Sequence, residues 1–204
     1  MQTISHEDYV ALKKNAKVIE YDLHGEKVIQ LANGNYLKLF RRKRLLSSAA
    51  WYPYAQRFAD NAQALKERRI ACPEVEAVYR IPSIQRDAVL YRPLSGNTLR
   101  ELIRTQHAMP GLAKLLVTFV SQLHDKGVYF RSLHLGNIVF MSNNSFGLID
   151  IADLKLKNRP LSKYHRCRNL MQLRRNPQDR AWLEAKDEIP AVEITHTASR
   201  DDTP

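Results

Sequence analysis

Phe130-Arg131-Ser132-Leu133-His134-Leu135-Gly136-Asn137-Ile138-Val139-Phe140 is followed, after a short polar turn, by Phe146-Gly147-Leu148-Ile149-Asp150. The first stretch is a turn that ends on an amide side chain and runs into an apolar strand. The second is an apolar strand that ends on a carboxylate. Such a strand-loop-strand unit brings two oxygen ligands to one Mg2+. The pattern predicts a site for Mg2+ and a nucleotide, with Asn137 and Asp150 as the ligands.

Phosphoryl transfer also needs a group that orients or deprotonates the attacking hydroxyl, commonly an Asp five residues before the metal-binding Asn. That place holds Ser132. A serine can position a hydroxyl by hydrogen bond but cannot take its proton at neutral pH. One acid/base group contributes about 10²–10⁴-fold, so turnover is expected to fall rather than vanish. His134, two residues along, titrates in a suitable range, and Asp153 follows Asp150 by three; either can stand in for the base. The other reading of His134 is a structural one, a hydrogen bond to backbone that holds the loop.

On the N-terminal side of the motif, Leu112 to Asp125 reads as a long apolar helix whose core stripe is Leu115, Leu116, Phe119, Val120 and Leu123. Before it, Arg92-Pro93-Leu94-Ser95-Gly96 is a turn-rich break suited to a hinge, followed by a helix from Leu99 to Arg104. Val18 to Tyr21, Val28 to Leu31 and Tyr36 to Phe40 alternate with turns at His24-Gly25 and Asn33-Gly34 and predict a three-stranded antiparallel meander. Val75 to Tyr79 and Asp87 to Tyr91 predict two more strands. Ser5 and Asp8 mark the start of a short helix ending near Asn15, expected to pack outside the sheet. Between Pro53 and Arg69, Phe58, Ala62 and Leu65 recur at helical spacing.

Lys38 lies in the middle of an apolar strand, on the face of Tyr36 and Phe40. Alone it reads as an edge-strand lysine that blunts aggregation. Coupled to the Asn137/Asp150 pattern, it reads as the cation that holds nucleotide phosphates. The Arg41-Arg42-Lys43-Arg44 run reads as solvated surface, with contact to an anionic substrate or a phospholipid head group as the other reading. Beyond Asp150, Leu154 to Arg175 is strongly basic with a helical stretch from Tyr164 to Leu173; helix signals weaken from Pro177, and Thr195 to Pro204 is polar enough to be disordered.

The chain has 204 residues, 44% of them hydrophobic, a length and composition that support a globular core. No apolar run approaches the roughly 20 residues that span a bilayer, and the first residues are polar, so a cytoplasmic location is the expectation. Cys72 and Cys167 stand apart without ligand or disulfide spacing. The net charge of +11 favours anionic partners, whether phosphorylated substrates, an acidic membrane face or nucleic acid.

Lys38, Pro93-Leu94-Ser95-Gly96, Leu133-His134-Leu135-Gly136-Asn137 and Leu148-Ile149-Asp150 together resemble the protein-kinase-like superfamily. The order and spacing are similar to its bacterial lipopolysaccharide core kinases, which phosphorylate heptose or Kdo sugars and include toluene tolerance proteins. The likeness covers about residues 17 to 175. The family's catalytic turn is His-x-Asp-Leu-His-x-x-Asn, and here two key residues are changed and three kept. The resemblance implies an α+β, two-lobed fold, with a small antiparallel sheet lobe over residues 1–92, a reduced helical lobe over 93–194 and a tail over 195–204. It implies that Lys38 contacts ATP phosphates and that Asn137 and Asp150 hold Mg2+. Ser132 then stands at the base position with His134 beside it, and Gly25 belongs to a glycine-poor phosphate loop. In this alignment Asn61 takes the place of the helix Glu that pairs with the lysine, with Asp60 and Glu67 nearby. Asp-Phe-Gly becomes Asp150-Ile151-Ala152.

Three functions remain open at this stage. One is an ATP-dependent phosphotransferase acting on a lipopolysaccharide core sugar or related small molecule, its basic surface meeting an anionic glycolipid or phosphorylated sugar, with peripheral contact at the inner membrane. Another is a pseudokinase that binds nucleotide or a partner and regulates envelope biosynthesis. The last is a basic nucleic-acid-binding protein, which no aromatic-interleaved basic motif supports.

Overall fold

A computed structural model describes residues 1–42, 52–105, 107 and 109–184. The five expected strands and a short N-terminal strand that the sequence did not predict join into a six-stranded sheet with the order β1-β5-β6-β4-β3-β2. These strands are β1 (Gln2–Thr3), β2 (Lys17–Asp22), β3 (Gly25–Gln30), β4 (Tyr36–Arg41), β5 (Glu74–Ile81) and β6 (Arg86–Arg92). All pairs are antiparallel except β1 with β5. The β2-β3-β4 meander forms as predicted, but β6 lies against the other side of β4 and places Lys38 opposite both Val28 and Val89. Lys38 is therefore in a central strand, and the edge-lysine reading is overturned.

Period-two alternation gives the sheet two working faces. Leu37, Leu39, Ile29, Ala88 and Leu90 pack under α1 (His6–Leu12), whose Tyr9 closes that core. Ser5 caps α1 in a reciprocal capping box with Asp8. The helix stops at Leu12, short of Asn15, which adopts a left-handed conformation. The opposite sheet face meets α2 (Tyr54–Glu67) through Ala55, Phe58, Ala62 and Leu65.

The remainder is built from α3 (Leu99–Arg104), α4 (Leu112–Asp125), α5 (Lys163–Leu173) and α6 (Pro177–Glu184). They surround two small sheets, one of β7 (Asn97–Thr98), β9 (Ile138–Phe140) and β10 (Phe146–Leu148), the other of β8 (Val128–Phe130) and β11 (Leu154–Leu156). The chain is thus a mixed α+β protein. One apolar core continues from Val89, Tyr91 and α2 through α4 to Phe130, Leu135 and Leu148, so packing on the sheet also fixes the 130–150 segment.

Two expectations need correction. Leu115 is 40% exposed, at the margin of the α4 stripe, whereas Leu112 and Leu116 are buried. Residues after Pro177 do form a helix, because the Asn176 side chain accepts the backbone N–H groups of Gln178 and Asp179, with Pro177 in the first turn. Lys43, Arg44 and the 195–204 tail lie outside the described residues. Among the described residues, no helix is long and apolar enough to cross a membrane.

A buried relay connects α4, α5 and the end of β8. Asn169 donates through Nδ2 to the Phe130 carbonyl at 2.6 Å, so its Oδ1 accepts from His124 Nε2 at 3.2 Å. Burial holds the His124 pKa below its ordinary 6.5; the Asn169 bond opposes this, Arg166 lowers it further and Asp125 raises it. The unfolded chain then takes up a proton near pH 6.5 that the folded chain refuses, so stability is lost as pH falls through that value. The melting temperature should drop between pH 7.5 and 5.5, with a shallower slope in His124→Gln, as read by scanning calorimetry. His134, also held low by burial first and by Arg100, adds to the same slope.

Candidate functional site

The turn after β8 is shaped by its own backbone and by two polar side chains from distant helices. Leu133 N–H bonds the Phe130 carbonyl at 3.1 Å and Asn137 N–H bonds the His134 carbonyl at 2.9 Å, closing a short 3₁₀ turn over Leu135–Asn137. Asn169 holds the start of the turn through Phe130, and Asp179 on α6 accepts the Leu135 N–H at 3.1 Å. Arg100 makes a two-pronged pair with Asp179, at 3.0 and 2.8 Å, and lies against Gly136. A Cβ at position 136 would come within 2.8 Å of the Arg100 guanidinium, so only glycine fits without a shift.

Asn137 is buried, and its Nδ2 donates to the Ser132 carbonyl at 3.0 Å, which leaves Oδ1 as the atom it can present to a ligand. Its own carbonyl accepts the Ile149 N–H at 3.0 Å, joining the turn to the residue before Asp150. Asp150 has φ 54° and ψ 45°, a left-handed kink that ends the strand segment. Its Oδ1 accepts from Lys38 Nζ at 2.5 Å. Three residues predicted from sequence to converge therefore do so: Lys38 from the six-stranded sheet, with Asn137 and Asp150 from beyond it.

These side chains line a cleft of about 550 Å³, within the usual range for a small-molecule site. Val28, Tyr36 and Tyr91 form its sheet wall, Leu94, Gly96 and Thr98 belong to the break between β6 and α3, and Glu101 and His134 stand on the far side. A second hollow of about 520 Å³ lies behind α2, against Cys72 and Pro73. Its charged residues Lys66, Arg69 and Glu74 make no side-chain ion pair across it among the described residues, so the Lys38 cleft is the candidate site. Burial raises the Cys72 thiol to about 11, which keeps it protonated and unreactive.

The helix partner of Lys38 differs from the aligned expectation. Asn61 does not meet the lysine; its Nδ2 donates to the Ile151 carbonyl at 2.7 Å and ties α2 to the residue after Asp150. The partner of Lys38 is Asp150 itself. An ammonium in a central strand needs a counter-charge, and a carboxylate in direct contact supplies it.

Gly25 is outside the cleft lining. The turn between β2 and β3 is pinned from the sheet, because Arg86 Nη2 donates to the His24 carbonyl at 2.6 Å and Arg41 bonds the His24 ring at 2.8 Å. The same hairpin reaches the cleft through Ile19, Glu20, Lys27 and Val28. Lys27 and Glu20 pair at 2.5 Å. That bond, followed by the Glu20 and Asp150 charges, raises the Lys27 pKa against some burial. Sequence reading missed both, since a Lys/Glu pair across a hairpin has the pattern of a solvated face.

Ser132 and His134 differ in their surroundings. Ser132 Oγ donates to Asp153 Oδ2 at 2.5 Å, across 21 residues of chain. His134 does not hold the loop through its ring: Nδ1 is buried without a hydrogen-bond partner, and the carbonyl supplies the turn's bond. With a pKa held down by burial and by Arg100, its imidazole is neutral at pH 7.

The cleft thus gathers two ammonium groups, Lys27 and Lys38, with three carboxylates, Glu20, Glu101 and Asp150, and the Asn137 amide oxygen; the lysines can meet an anion and the oxygens a hard cation. Comparison with protein-family models finds none that matches the chain, and comparison with curated proteins finds no match.

Proposed function

We propose that this chain has a two-lobed, protein-kinase-like fold and is an ATP-dependent phosphotransferase with an alcohol acceptor, a lipopolysaccharide core sugar or a related anionic small molecule. The observation that carries the reading is the direct Lys38–Asp150 contact at a cleft that Asn137 also lines. The donor set fits Mg2+. Among the described residues no group of three His, Cys, Asp or Glu forms a cage for a metal, and Mg2+ is commonly held by one or two protein oxygens plus substrate phosphates. Bound there, Mg2+ would neutralise charge developing on the phosphoryl group.

The chain's own residues do the rest. Asp150 and the Asn137 Oδ1 hold the cation, and Lys38 contacts the phosphates. Tyr36, Tyr91 and Val28 offer an apolar wall for a base, and Arg131, exposed at the start of the turn, is the cation assigned here to an anionic acceptor. The net charge of +11 favours such an acceptor and peripheral contact with an acidic membrane face.

A second reading, a pseudokinase, is favoured by the Ser132 hydroxyl, which is engaged by Asp153. Incubation with γ-labelled ATP, Mg2+ and heptose- or Kdo-containing core oligosaccharide separates the two. Label in the sugar supports the enzyme; nucleotide binding without transfer supports the pseudokinase; absence of nucleotide binding sinks the enzyme and leaves only a pseudokinase that binds a partner.

Lys27 supplies a test of the phosphate geometry. Gly25 is outside the cleft lining and Lys27 is in it, so the Lys27 ammonium is the second cation for the polyphosphate. Lys27→Ala should weaken Mg-ATP binding about tenfold, the worth of one charge-assisted hydrogen bond, and leave adenosine binding unchanged, as read by calorimetric titration.

A further inference from the structure

The Ser132 hydroxyl points at the Asp153 carboxylate, which among the described residues has no cation within salt-bridge distance. Asp153 closes the short 3₁₀ turn Ile151–Asp153 directly after Asp150, so the residue that would hold the metal and this second carboxylate share one rigid turn. Asp153 Oδ2 accepts a hydrogen bond from Ser132 Oγ at 2.5 Å. Its Oδ1 is buried and has no hydrogen-bond partner. Burying a carboxylate oxygen without a partner is costly, and such an exception calls for an explanation.

Because serine spends its proton on Asp153, the lone pairs of Oγ remain free to accept a hydrogen bond from an incoming hydroxyl. We infer that Asp153, acting through the Ser132 hydroxyl, receives the proton of the phosphate acceptor and so supplies from after Asp150 the base that position 132 lacks. The inference rests on the phosphotransferase reading above. In the step, the acceptor oxygen forms a bond to the γ-phosphorus of the nucleoside triphosphate while the bond from that phosphorus to the nucleoside diphosphate breaks. The acceptor proton moves to Ser132 Oγ as the serine proton moves to Asp153 Oδ2. Serine ends unchanged and Asp153 ends as a carboxylic acid. Asp153 is thus a positioning residue, and Ser132 is the group that touches the acceptor.

Ser132, Asp150, Arg131 and its own backbone N–H act on the Asp153 carboxylate, and His134 is coupled to it by charge. Burial raises the Asp153 pKa most; the Ser132 bond lowers it, the Asp150 charge raises it and the Arg131 charge lowers it. The net shift is upward, toward a better proton acceptor.

The test uses the full chain with Mg-ATP and water as acceptor, following single-turnover phosphate release together with the ATP-dependent rise in melting temperature. Asp153→Asn, nearly isosteric, and Ser132→Ala should keep the melting rise and each lose about 10²-fold in rate. Adding Ser132→Asp to Asp153→Asn should restore at least tenfold, because a carboxylate at 132 no longer needs the relay; a hydrogen bond that only supports the fold permits no such rescue. An Asp153→Asn rate within threefold of the parent, loss of its melting rise, or failure of the double variant to recover overturns the inference and leaves nucleotide binding standing. A parent chain that shows a melting rise but neither releases phosphate nor labels the core oligosaccharide overturns it in favour of the pseudokinase. A parent chain with no melting rise removes the nucleotide reading itself.

Discussion

Asp150→Ala is expected to abolish the ATP-dependent rise in melting temperature and to lower the melting temperature of the free protein, while Lys38→Met abolishes the rise and leaves the free protein unchanged or more stable. Both changes remove a group that the Mg-ATP proposal requires, so the ligand effect disappears in each. At a hundredfold excess over Kd that effect is about 2.7 kcal/mol, which for a chain of this size is roughly 5–10 °C. The free proteins should differ because the pair is unequally buried. The Lys38 side chain is 8% exposed and the Asp150 side chain 42%. Removing the carboxylate strands an ammonium in a central strand; removing the ammonium leaves a carboxylate that water can solvate. A cost of about 1–3 kcal/mol is expected for the first and close to zero for the second. Thermal melts with and without Mg-ATP read all four states. Equal destabilisation of the two free variants would show that the ion pair, and not the buried ammonium, controls stability here.

What was legible in the sequence follows a physical division. Asn137 and Asp150 sit at the ends of short apolar strands bounded by turns, and Lys38 interrupts an apolar alternation; local pattern suffices for such positions. Strand order is not local. The edge reading of Lys38 failed because β6, a strand from much later in the chain, covers the open side of β4. Gly25 lies outside the cleft lining for a related reason: its turn is held by Arg86, 62 residues from His24, and a glycine says where a chain can bend but not what it then faces. Leu115 belongs to the apolar stripe of α4 and still meets solvent, since a stripe broader than the surface that covers it leaves a margin exposed. Asn61 was placed by alignment against a lysine, yet an amide has a donor and no charge, and it settles on a carbonyl at the foot of Asp150. Asp179 was missed because helix signals weaken from Pro177, and only the fold shows that its carboxylate turns inward to Arg100 and the Leu135 N–H.

Asp179→Ala carries the second large effect, this time on the frame that holds the site. Asp179 is 2% exposed, accepts two bonds from Arg100 and a third from the Leu135 N–H, and so connects α6, α3 and the turn that ends in Asn137. Deleting the carboxylate leaves the N–H of a fully buried residue unpaired, at about 1–3 kcal/mol, and removes charge-assisted bonds to a guanidinium that stays partly hydrated. A loss of about 3 kcal/mol is expected, roughly 6–12 °C in melting temperature. Arg100→Ala should be comparably harmful from the other side, because it leaves a buried carboxylate with one backbone donor. The double variant should then cost far less than the sum of the singles, with a coupling of about 1.5–3 kcal/mol in a double-mutant cycle measured by urea unfolding. Asp179→Asn should fall between parent and alanine, since its amide oxygen can still accept the Leu135 N–H. Additive single effects would mean that Arg100 and Asp179 act independently, and the turn before Asn137 would have to owe its shape to Asn169 and its own backbone bonds alone.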